Sequence, residues 1–290
     1  RRAAEAEPGL QLDFSRYPLP VWPQDKPTNV AEKSISTAVV RFVDSAPTAG
    51  IDFTYFNGDQ PADARLLGTT GGGVAVLDYD GDGWPDIYFT QGSTWPVDTA
   101  SGLYRDRLYR NLGNGKFEDV TEQAGLGDTH YSQGIAAGDF DNDGFPDLYL
   151  ANVGANRLYH NNGDGTFTDI SARAGIIQQV WTTSCLIADL NGDGWPDLYD
   201  VNYLEEEALT RRCGDGPCPP HIFPAQDDCL LLSDGSGKFQ DVTKAAGITG
   251  SRGKGLGIVA ADFAATGKLS LFVANDGTPN FFYDSVTSPG

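Results

Sequence analysis

The most constraining feature of this chain is a nine-residue phrase, Asp-Phe-Asp-Asn-Asp-Gly-Phe-Pro-Asp at 139–147, which places four carboxylates in one turn. Like charges held about 4 Å apart repel by about 1 kcal/mol per pair even in bulk water, so the phrase predicts a bound cation. The same spacing recurs at 78–86 (DYDGDGWPD) and at 189–197 (DLNGDGWPD), and a worn copy begins at Asp262. A turn repeated four times implies that the element around it is repeated as well.

That larger unit is visible when the chain is aligned with itself. LYRNLGNGKFEDVTEQAGL at 108–126 returns as LYHNNGDGTFTDISARAGI at 158–176 and as LLLSDGSGKFQDVTKAAGI at 230–248. Each unit reads as a Gly-rich strand, the Asp loop, a second strand such as PDLYLANVG, a third such as LYHN, a Gly-rich turn and a fourth such as TFTDIS. Asn114-Gly115 and Asp164-Gly165 are dipeptides that favour tight hairpins, so neighbouring strands should pair antiparallel. Repeated four-stranded meanders predict an all-β fold, a β-propeller with about four blades in this chain. Residues 39–290 form this part, preceded by a Pro-rich extended arm over 1–38 that includes Trp22. The last unit stops after its third strand, and a fragment of the fourth-strand phrase, RFVDSAPTAGI, stands at 41–51. Two arrangements follow: a closed four-bladed ring in which 41–51 completes the last blade, or part of a larger ring.

Ligand chemistry identifies the cation. In the first loop, Asp78, Asp80, Asp82 and Asp86 occupy positions 1, 3, 5 and 9, and the carbonyl of Trp84 lies at position 7. The second loop offers Asp139, Asp141, Asp143, Phe145 and Asp147, and the third Asp189, Asn191, Asp193, Trp195 and Asp197. Hard oxygens without His or Cys ligands suit calcium better than zinc, copper or iron, and magnesium prefers to keep several waters. A helical calcium loop is excluded, because Pro85, Pro146 and Pro196 oppose a helix and the flanks are strand-like. Asn191 removes one charge, so the third site should bind more weakly than the second. The fourth loop keeps only Asp262 among its ligand positions and should hold no ion.

GIAAGDFDNDGFPDLYLANVG resembles the FG-GAP or VCBS repeat of integrin α-subunit propellers. The fuller phrase LYRNxGxGxFxDVTxxAGL is similar to bacterial relatives of cartilage acidic protein, the ASPIC/UnbV group. The resemblance spans roughly 39–284. It implies a propeller of usually seven blades, calcium held between the first two strands of a blade, an exported or surface location, and adhesion or ligand binding. It supplies no catalytic residues.

The formal charge of −20 argues against nucleic acid or an anionic membrane as partner, and no apolar run is long enough to span a bilayer. The sequence contains no Met, which suggests a processed or trimmed product. Calcium loops and an even number of cysteines fit an extracellular, cell-surface or periplasmic setting. The insertion at 205–229 carries Cys213 and Cys218 around a Gly-Asp-Gly-Pro turn. A local disulfide there would leave Cys185 with Cys229 as a second pair, and a zinc site from Cys213, Cys218, His221 and Cys229 is the weaker alternative. Long loops on rigid scaffolds are where recognition evolves. Trp22 in the arm and Arg211, Arg212, His221 and Phe223 in the insertion are therefore the candidate contacts for a protein or glycan ligand, or for neighbouring subunits of an assembly. Among the three histidines, His160 should be a surface residue. No motif for nucleophilic or metal-dependent hydrolysis is present, so binding is expected rather than catalysis.

Overall fold

The computed structural model of the chain describes residues 41–58, 65–214, 216–250 and 253–284. Residues 44–290 make one unit. The expected arm at 1–38, with Trp22, lies outside the described residues.

Blade 1 is built from β1 (Val74–Leu77), β2 (Asp86–Phe89), β3 (Arg107–Asn111) and β4 (Phe117–Asp119), antiparallel in sequence order. Blade 2 repeats this with β5 (Tyr131–Gly138), β6 (Asp147–Ala155), β7 (Arg157–Asn161) and β8 (Phe167–Asp169). Blade 3 follows with β9 (Gln179–Ala188), β10 (Asp197–Asn202), β11 (Cys229–Ser233) and β12 (Phe239–Asp241). Among the described residues, blade 4 has three strands, β13 (Gly255–Ala261), β14 (Ser270–Asn275) and β15 (Phe281–Tyr283). The inner strands adjoin in order, β1 beside β5, β5 beside β9 and β9 beside β13. This is the β-propeller arrangement that the repeat predicts. β6 also runs past its blade and pairs with the start of β9 through Val153 and Trp181.

The core lies between blades. Ala75, Leu77, Tyr88 and Leu108 of blade 1 meet Leu148, Leu150, Tyr159 and Phe167 of blade 2. Tyr149 and Leu158 meet Leu198, Leu231 and Phe239 at the next junction, and Tyr199 and Val201 meet Leu271 and Val273 at the third. An interior blade is thus covered on both faces, which is why β6 is a nearly unbroken buried run. Each fully buried Leu, Val or Phe among these contributes roughly 1.5–3 kcal/mol.

Residues 41–51 do not add a fourth strand to blade 4. They contain a helical turn, α1 (Ala46–Ala49), and among the described residues β15 pairs only with β14. Gly50, in the left-handed region at φ 88°, sits so close to the Phe117 carbonyl of blade 1 that a Cβ would lie 2.6 Å from it. Gly125 and Gly175 press in the same way on the carbonyls of Phe167 and Phe239. The Ala-Gly turn that ends the phrase is therefore a rim contact onto the following blade, and at 44–50 it docks on blade 1.

The insertion at 205–229 forms a helical turn, α2 (Glu207–Thr210), and a short turn at Pro220–Ile222. It is docked: Ala208, Leu209, Cys218 and Phe223 pack with Leu66, Leu67, Tyr131, Trp181 and Tyr203. A second long β2–β3 connection in blade 1, whose Trp95 and Val97 join this cluster, was not marked by the repeat alignment.

Candidate metal centres

Each Asp loop joins the first two strands of a blade, at the end opposite the 205–229 insertion. Position 1 holds the turn itself. Asp78 accepts the amides of Asp82 and Gly83, Asp139 those of Asp143 and Gly144, and Asp189 those of Asp193 and Gly194, at 2.9–3.1 Å. Asp262 does the same in the fourth loop, for Thr266 and Gly267. These amide contacts hold the Asp262 carboxyl below its ordinary range. Position 9 ties the loop to its blade: Asp147 accepts Phe140 N at 3.0 Å and Asn161 N at 2.8 Å, and Asp86 and Asp197 make the matching pairs. Burial raises the pKa of all three, for Asp147 to about 7.

Position 5 gives one oxygen to the position 7 amide, at 2.9 Å in all three loops, and position 3 gives one to the position 5 amide in the first and third, so the surplus at these positions is the second oxygen of each carboxylate. In the first loop, oxygens of Asp78, Asp80 and Asp86 lie within 4.8 Å of one another. The second loop brings together Asp139, Asp141 and Asp143, and also Asp141, Asp147 and His160. Asp141 Oδ1 is buried with no hydrogen-bond partner, and burial raises that carboxyl too. A buried orphan oxygen among carboxylates fits a hard divalent cation. In the third loop the Asn191 amide donates to Asp193 Oδ2 at 2.9 Å, so this loop satisfies part of its own demand. If calcium binds, these oxygens would hold it, and its two charges would offset the carboxylates at positions 3 and 5.

The ring at position 7 serves packing. Trp84, Phe145 and Trp195 lie against Gly113, Gly163 and Gly235 of the β3–β4-type turns, where a Cβ would come within 2.6–2.9 Å of the ring. Those turns span three residues, closed in blade 1 by Leu112 N to Lys116 O, with Gly113 and Gly115 both at positive φ. His160 departs from its expectation. It is half-buried, with Nδ1 3.3 Å from Asp147 Oδ1 and 3.5 Å from Asp141 Oδ2, because the third strand runs beside the loop. Its counterpart Arg110 pairs with Asp80 at 2.7 Å and Asp82 at 3.1 Å.

Cys213 and Cys218 form a disulfide, which removes both from any zinc site. The second expected disulfide does not form. Cys185 and Cys229 are buried free thiols, each directly across from Asp200, so β10 lies between them. Two strand spacings, about 9–10 Å, are too far for a disulfide. Asp200 is itself wholly buried, accepts a bond from the Tyr149 hydroxyl at 2.7 Å, and is pushed up to about 7 by burial. Sequence reasoning did not single it out, although its column holds Phe89 and Leu150 in the other blades. On the insertion, Arg211, Arg212 and His221 are exposed. Phe223 is buried beneath the Arg211 guanidinium, so it supports the loop and offers no partner contact.

Residues 78–150 and 139–199 match the model of the FG-GAP-like repeat. No curated protein matches the chain. Among solved structures, the chain is similar to that of a lectin from Agrocybe aegerita described by its specific recognition of non-reducing terminal N-acetylglucosamine. That match has 19% identity over 70% of this chain and 54% of the lectin chain, with a TM-score of 0.32. The chain thus spans about half of that structure's length, and so distant a likeness says nothing about its ligand. Blades, loop spacing and family match agree that the chain carries FG-GAP-like repeats across residues 78–199.

Proposed function

We infer that this chain is a calcium-stabilised propeller module that works outside the cytosol by presenting a rigid face to a protein or glycan ligand. The observation that carries the reading is the division of labour within the loops. Both oxygens at positions 1 and 9 accept backbone amides, whereas position 5 engages only one oxygen in this way and Asp141 Oδ1 at position 3 of the second loop is left without a partner. The ion is thereby cast as a structural component. The Cys213–Cys218 disulfide supports an oxidising compartment, and among the described residues no helix is long and apolar enough to cross a membrane. The LYRN and FEDVTEQAG phrases lead us to group the chain with the bacterial relatives of cartilage acidic protein.

Recognition is assigned to the end bearing the insertion, away from the ions, where Arg211, Arg212 and His221 are exposed. A site with free ligand at about 100 times Kd adds about 2.7 kcal/mol to stability. Chelating calcium should therefore lower the melting temperature by roughly 15 °C if all three loops bind; an unchanged melt refutes the structural ion. The calcium-loaded chain should retain specific members of a protein or glycan array, and the R211E/R212E double variant should lose them while melting normally. Turnover of an array member would replace binding with catalysis. A second reading, a subunit of a surface assembly, is favoured by the exposed apolar faces of blades 1 and 4.

A further inference from the structure

One alignment column, two residues into the third strand after its Leu, differs in kind among the three loops that carry a carboxylate pair or its amide equivalent. It holds Arg110 in blade 1, His160 in blade 2 and Leu232 in blade 3. Strand pairing places this column beside the Asp loop, because the third strand lies next to the second and its following residue hydrogen-bonds to the position 9 carboxylate. Asn111 N donates to Asp86, Asn161 N to Asp147 and Ser233 N to Asp197. In blade 1 the result is an ion pair among the residues expected to hold the cation. Arg110 Nε lies 2.7 Å from Asp80 Oδ2, and a terminal nitrogen donates to Asp82 Oδ2 at 3.1 Å.

We propose that Arg110 is the resident counter-ion of the first loop and that a divalent cation must displace it, so this residue sets the cation affinity of blade 1. The inference rests on the calcium reading above. Asp80 and Asp82 each give Oδ1 to a loop amide, Asp82 N at 3.3 Å and Trp84 N at 2.9 Å, and it is the Oδ2 atom left over on each that the guanidinium neutralises. Both are expected ligands, so guanidinium and ion compete for the same oxygens. An arginine cannot escape the competition by losing its proton. Its side chain is 39% exposed, so water can receive the guanidinium when it leaves and the exchange requires no change in the blade. Leu232 places no charge beside the third loop, which makes blade 3 the internal reference. Blade 1 is therefore held in shape at low calcium by its own arginine and exchanges it for an ion as calcium rises.

Terbium(III), a calcium probe excited through a nearby indole, resolves the loops, because Trp84 and Trp195 occupy position 7 of the first and third loops and Phe145 that of the second. In a W195F background the luminescence reports loop 1, and in a W84F background loop 3. Half-saturation of loop 1 should fall about tenfold in R110L, about 1.4 kcal/mol, and by a similar factor in R110Q, which keeps a polar side chain without the charge. L232R should weaken loop 3 by a similar factor. The affinity gained in R110L should also depend less on salt concentration than that of the parent. Circular dichroism and melting in the absence of metal verify that each variant is folded. Unchanged half-saturation in both R110L and R110Q, with terbium still displaced by calcium, overturns the role of Arg110 and leaves the calcium reading intact. Absence of any saturable, calcium-sensitive signal from either loop overturns the calcium reading itself.

Discussion

Asp200 is the residue whose identity departs most from its column. Where blades 1 and 2 place Phe89 and Leu150, blade 3 places a carboxyl, wholly buried at the junction with blade 2 and bonded by the Tyr149 hydroxyl. Burial lifts it from 3.8 to about 7. The folded state then holds a proton that the unfolded chain releases at lower pH, so the neutral acid's contribution is complete below pH 4 and is lost as pH rises through about 7. The D200N variant keeps an acceptor for Tyr149 and cannot ionise. Urea melts at saturating calcium should show the wild type losing stability between pH 4 and 8, on the order of a few kcal/mol, and D200N a shallower slope. Equal slopes would refute the assignment. Cys185 and Cys229 flank this same residue, and the parity of four cysteines could not show that a strand runs between them.

At the scale of elements, the Asp loop combines a turn and an ion site in one phrase. The spacing was legible because three copies agree, and so was the meander; the core between blades came only with the structure. What one-letter repetition hides is that position 1 and position 9 carboxylates serve the backbone. The fourth loop exposes the difference. It has lost positions 3 and 5 yet keeps Asp262, with Ala265 forced to φ 53° at position 4, where loops 1 and 3 use glycine. D262A should lower the melting temperature by the same amount with calcium and with chelator, and leave the number of bound ions unchanged. Loss of an ion in that variant would mean that the fourth loop binds metal after all. The 41–51 phrase was harder to read, because the motif contains both the end of an outer strand and the rim turn beyond it, and only the turn is used there. His160 and Arg110 were visible as a column, but their contact with the loop depends on strand pairing that no local pattern states.

At the scale of the whole 44–290 unit, the two end blades differ from the interior ones. Leu148 and Leu158 of blade 2 are fully covered, whereas Val74 and Val76 of blade 1 are 57% and 63% exposed. On blade 4, Val259, Phe272 and Phe282 stand in one cross-strand row, with Val259 48% and Phe282 55% exposed and Phe263 packed edge-on against Phe282. Contiguous apolar surface of this kind associates. The 290-residue chain should therefore self-associate at micromolar concentration in analytical ultracentrifugation, and V259T/F282S should shift it toward monomer. A monomeric parent would remove the main support for the assembly reading.

The rim turns have a mechanical consequence. Gly50, Gly125 and Gly175 rest on the backbone of the next blade's outermost strand, and Phe167 N also donates to Ala124 O at 2.8 Å. Adjacent blades are thus fastened at the periphery as well as near the axis, and main chain meets main chain at the outer fastening. A pull on one blade's rim passes to its neighbour without relying on the softer side-chain layer between them, so the array should resist fanning open under tension as a stitched edge does.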